Sequence, residues 1–141
     1  MRKGLVLTAT IGILAATITF ADQTSKVVIP AGKTAPNDAR QMYTNYCAPC
    51  HGVDGKGKGP VAPAMKSSPT DLTQLTRNNH GKYPDTHVVA VLQFGSTLSS
   101  HGSAAMPVWG PIFGNMSRTN VQEKQLRISN LAHYLESIQQ P

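Results

Sequence analysis

A small all-α domain is what the sequence predicts, and three observations predict it. The chain has 141 residues, and removing an apolar N-terminal stretch leaves about 120, enough for one modest core. Apolar residues recur at helical spacing in several stretches separated by glycine- and proline-rich connections. The first of these stretches ends in Cys47-Ala48-Pro49-Cys50-His51, which is followed by glycine and lysine with no strand-like apolar run.

The opening residues have the layout of a secretory signal: Arg2-Lys3, a mostly apolar run from Gly4 to Phe20, and small residues at Thr19 and Ala21. The competing reading is an uncleaved membrane anchor. A run of about 17 residues is at the short edge of a bilayer span, and Thr8, Thr10, Thr17 and Thr19 dilute its apolarity. The expected organisation is a cleaved signal over 1–21, an irregular arm over 22–35 and one domain over 36–141. The first helix should start at Pro36 to Asp38, where a proline and an acid favour initiation. Ala39, Met42, Tyr43, Tyr46 and Cys50 then form one apolar face.

The pentad that follows is the C-x-x-C-H pattern of covalent haem attachment. On one helical turn two sulfurs can reach the two vinyl groups of one porphyrin edge, and the next side chain is carried to the iron. A thioredoxin-like dithiol would need a βαβ pattern around the motif. Structural zinc would need further ligands from His51, His80, His87, His101 or His133, at no recognised spacing, because only two cysteines occur. Haem is therefore the expected cofactor, with a chance match as the alternative. The loop from Gly52 to Pro60 lacks Walker spacing. It is expected to fold back beneath the haem, so that the Pro60 carbonyl accepts a hydrogen bond from the His51 nitrogen facing away from the iron.

Pro69 to Asn79 should hold a short helix opened by Thr70 or Asp71, with Leu72 and Leu75 inward. Pro84-Asp85 starts another, in which Val88, Val91 and Leu92 share a face and Gly95 supplies the stop. Ser96 to Gly114 is rich in glycine, serine and proline and is expected to be a loop. Within it Met106, fixed by Pro107 and close to Trp109, is suited to presenting a thioether to a metal. Thr119 or Asn120 should begin the terminal helix, with Gln122 or Glu123 completing its cap. Val121, Ile128, Leu131, Leu135 and Ile138 are its expected buried stripe, with Tyr134 at the edge.

The formal charge is +6, from 13 basic and 7 acidic residues. Loss of Arg2 and Lys3 leaves 11 against 7, or +4. Lys56, Lys58, Lys66, Lys82 and Lys124 are scattered rather than arranged as a stripe, which argues against nucleic acid. The excess suits ordinary solubility or steering toward an acidic redox partner.

Taken in order, the pentad, Gly59-Pro60 and Met106-Pro-Val-Trp-Gly110 resemble the class I monohaem bacterial cytochromes c, over roughly residues 36 to 138. The resemblance implies a small all-α cytochrome c fold, three to five helices wrapped around one covalently bound haem c. Its first and last helices would cross near the haem edge, with Tyr43 and Tyr134 at the contact. Cys47 and Cys50 would carry the thioethers, and His51 and Met106 would be the axial iron ligands, with Met65, Met116 and His101 as rivals for the latter. Trp109 would pack on the haem or bond a propionate, for which Arg77 and Asn79 are further candidates. With both axial positions filled, the protein would be an electron carrier rather than an enzyme, exported to the periplasm and docking transiently on redox partners at the haem edge. A membrane would be met only through a partner complex or an uncleaved signal. Two alternatives stand beside this reading: a haem-bearing subunit of a larger membrane complex, and an open-site sensor or enzyme if Met106 dissociates.

Overall fold

The computed structural model describes residues 32–95, 106–116 and 121–141. The signal segment, most of the arm, His101 and the expected cap at Thr119 or Asn120 lie outside them. Among the described residues every regular element is helical: α1 (Ala39–Met42), α2 (Ala48–His51), α3 (Leu75–Asn78), α4 (Asp85–Phe94), α5 (Trp109–Met116) and α6 (Val121–Ser137). None of these helices is long and apolar enough to cross a membrane.

Asp38 caps α1, its carboxylate accepting from the Gln41 N–H at 2.9 Å. Helical backbone then continues to His51, but Tyr43–Cys47 is a π-helical turn. This wider coil carries Met42, Tyr43, Tyr46 and Cys47 to one buried side. Gly52, at φ +81°, ends α2. Asp71 caps a 3₁₀ turn over Leu72–Gln74 that leads into α3, and Gly95, at φ +81°, stops α4 as expected.

The region from Ser96 to Gly114 is not all loop: Trp109 onward forms α5. Trp109, Ile112, Phe113 and Met116 follow helical spacing, and Pro111 is tolerated because the first-turn N–H groups have no intrahelical partner. Gly110 is where α5 meets α4, since a Cβ there would lie 2.3 Å from the Gln93 carbonyl oxygen.

The terminal helix packs across α1, α4 and α5. Ile128, Leu131 and Leu135 are buried with Met42, Tyr43, Tyr46, Val88, Leu92, Trp109 and Phe113, each large side chain contributing roughly 1.5–3 kcal/mol. One stripe assignment needs correction, and one buried position was missed. Val121 is 71% exposed, with nothing among the described residues covering it, and the buried charge Arg127 takes a place in the stripe. Tyr43 and Tyr134 meet at the crossing, ring centroids 5.1 Å apart. Beyond the helix the chain turns back on the 3₁₀ segment: Gln140 N–H donates to Thr73 O at 2.9 Å and Gln139 Nε2 to Leu72 O at 2.7 Å.

Candidate functional site

The last carbonyls of a helix lack intrahelical partners, and here the glycine loop supplies them. Gly57 N–H donates to His51 O at 2.7 Å, Gly59 N–H to Cys50 O at 3.0 Å and Val61 N–H to Pro49 O at 2.9 Å. The return is so close that a Cβ on Gly59 would stand 2.4 Å from the Pro49 oxygen. Tyr43 braces the same turn, its hydroxyl donating to Gly52 O at 2.7 Å.

The partner of the His51 ring is not the Pro60 carbonyl but that of Thr70, 2.9 Å from Nδ1. Pro60 is exposed on the far side of the return, its neighbour Val61 being engaged with Pro49. A second connection, Leu72 N–H to Gly55 O at 2.7 Å, draws the 69–72 segment alongside and delivers Thr70 to the imidazole.

These elements surround a cavity of about 1000 Å³, at the upper end of the roughly 300–1,000 Å³ usual for cofactor pockets. Cys47, Cys50, His51, Met106 and Trp109 all line it. So does Asn79, whereas Pro60 and Arg77 do not. The apolar side chains assigned to the short helices, Leu72, Leu75, Val88, Val91 and Leu92, form its walls. Met65, one of the rivals to Met106, is also in the lining. Met116 lies instead by the Tyr46 hydroxyl, its sulfur 3.8 Å away. Tyr46, His87 and Leu135 line the cavity without having been singled out for it. For Tyr46 a signal existed in its place one residue before Cys47.

Burial pushes the Cys47 thiol up to about 12, Cys50 adding to the effect, and burial also raises Cys50. Reactive dithiols need the opposite shift, so this burial disfavours a thioredoxin-like exchange. Burial lowers the His51 pKa, with the Thr70 hydrogen bond opposing it in part. The ring is thus held neutral with its proton on Nδ1, because a carbonyl can only accept, and the Nε2 lone pair is left available. No group of three or more His, Cys, Asp or Glu among the described residues could hold a metal ion by itself, so zinc finds no side-chain cage there. Two thiols, an imidazole and a thioether around one large, mostly apolar cavity fit a c-type haem.

A family model described as cytochrome c oxidase, cbb3-type, subunit III matches residues 34–123. Neither the curated proteins nor the solved structures contain a match. The matched span includes the pentad, the glycine loop, α3 to α5 and the start of α6, well over half of the chain, so the protein belongs to this family of c-type cytochromes, whose domain serves haem-based electron transfer.

Proposed function

We propose that the chain carries one haem, joined to Cys47 and Cys50 and ligated by His51 and Met106, and that it works as an exported one-electron carrier rather than an enzyme. The observation that carries this reading is the convergence of all four side chains on one cavity. When bound, the haem supplies one-electron cycling between Fe(II) and Fe(III). The protein's part is to hold ligands and exclude water. Thr70 fixes the His51 tautomer. Pro107 stiffens the backbone beside Met106, whose thioether favours the reduced metal more than a second imidazole would. Leu72, Val88 and Leu92 keep the surroundings apolar. Electrons would enter and leave during brief docking with redox proteins, for which small interfaces suffice.

The test is the mass of the mature exported protein together with its absorption spectra in both redox states. One covalently added haem and a low-spin His/Met spectrum are expected. A polypeptide without the added group, or a high-spin spectrum, would overturn the assignment.

The family description favours a second reading, in which the domain serves as the haem-bearing subunit of a larger oxidase complex. Co-purification with a membrane complex through detergent supports that reading. Recovery in the soluble fraction as a free protein supports the carrier.

A further inference from the structure

Arg127 occupies a position on α6 where the helical stripe calls for an apolar side chain, and it is only 3% exposed. Burying a guanidinium is expensive unless its donors are used. Nη2 donates to Thr34 O at 2.7 Å and to Glu123 Oε1 at 2.8 Å, and Nη1 donates to Thr34 Oγ1 at 3.0 Å and approaches the Met42 sulfur at 3.7 Å. Nε has no partner. Glu123 is the ion-pair partner and is more open to solvent, with 29% of its side chain exposed against 4% for Arg127.

The proton inventory gives this cluster a direction. The Tyr46 hydroxyl, 2.6 Å from Gly32 O, must donate there because a carbonyl only accepts. Its 2.7 Å contact with Thr34 Oγ1 therefore has threonine as donor. Thr34 in turn accepts from Arg127. Two donors point the same way, from the buried cation through Thr34 to the tyrosine, whose own proton goes on to Gly32 O. The Tyr46 ring is a wall of the cavity and packs on Trp109 and Phe113, with centroids 5.4 Å and 5.7 Å away. Charge and aligned dipoles in so dry a setting act over longer distances than in water.

We propose that Arg127 is a positioning residue that raises the reduction potential of the haem, by holding a fixed positive charge and a polarised Thr34–Tyr46 relay behind the cavity wall. A cation there favours the less positive Fe(II) state. The inference rests on the haem assignment above and extends it to a residue outside both the pentad and the Met106 segment.

Redox titration of the haem-loaded protein tests it, alongside haem content per polypeptide. Arg127→Met should lower the midpoint potential, Arg127→Lys should restore most of it, and Glu123→Gln, which removes the compensating charge, should raise it. A purely structural role would move Arg127→Met and Glu123→Gln in the same direction, since both break the same ion pair. Shifts of the same sign, or none in proteins with full haem content, overturn the proposal. Should Arg127→Met fail to accumulate, the Glu123→Gln shift decides alone: upward supports the inference, unchanged or downward refutes it. A wild-type protein without haem would refute the proposed function itself and this inference with it.

Discussion

The Nδ1–H of His51 donates to the carbonyl oxygen of Thr70 across 2.9 Å. One bond thereby settles which nitrogen of the ring keeps the proton and which is left for a metal.

The same ring predicts a pH dependence. Burial lowers the His51 pKa in the folded protein, below the roughly 6.5 of an unfolded chain. The unfolded state therefore binds more protons in acid. This contribution to stability is fully present above about pH 6.5 and is lost as the pH falls toward the folded value. Urea unfolding of the polypeptide before haem is attached, with the imidazole unligated, should show a higher midpoint at pH 7.5 than at pH 5, and equal midpoints would contradict the shift.

Replacing Met106 with alanine should leave haem attached but open one axial position. The midpoint potential should fall, within the span of about 0.8 V that axial ligation covers, and carbon monoxide should bind the reduced variant at neutral pH while the parent stays closed. An unchanged spectrum would move the ligand from Met106 to one of its rivals, of which Met65 also lines the cavity. Ready carbon monoxide binding by the parent would favour an open-site protein.

Tyr43→Phe removes the hydroxyl that reaches Gly52 O but keeps the ring against Tyr134. Gly52 O retains the Gly55 N–H at 3.1 Å, so the loss should be about 1 kcal/mol. Tyr43→Ala, which also empties the helix crossing, should cost about 3–5 kcal/mol. Denaturant unfolding distinguishes the two.

Two glycines should respond differently to a methyl group. Gly59→Ala drives a Cβ into the Pro49 and Ala48 carbonyls, at 2.4 and 2.5 Å, and should destabilise by about 3 kcal/mol with reduced haem content. Gly81→Ala meets nothing within 4 Å, but at φ +80° it should cost about 1–2 kcal/mol and leave haem content unchanged. Unfolding curves and haem absorbance report both.

What the sequence made legible is what local chemistry decides. The pentad, the Asp38 start, the Gly95 stop and the Ile128–Leu131–Leu135 face each follow from residues within a turn or two. The misplaced features depend on distant partners. Thr70 becomes the acceptor through a backbone bond between Leu72 and Gly55, and nothing in the composition of the glycine loop announces that pairing. Arg127 is buried because Thr34 waits for it 93 residues away. The helix α5 was obscured by Gly110, Pro111 and Gly114, although its apolar residues kept the period. Gly110 is present for a helix contact rather than a turn.

The glycine loop is tied down at both margins, by Gly57, Gly59 and Val61 on the pentad helix and by Leu72 on Gly55. The loop between these margins therefore has a fixed length. Extra residues between 62 and 68 would leave these tethers in register but fall beside Met65, Ser67 and Ser68 in the cavity lining, whereas an insertion between 52 and 60 shifts tethers out of step. A graft, reporter tag or engineered recognition sequence therefore has to stay out of 52–60 altogether.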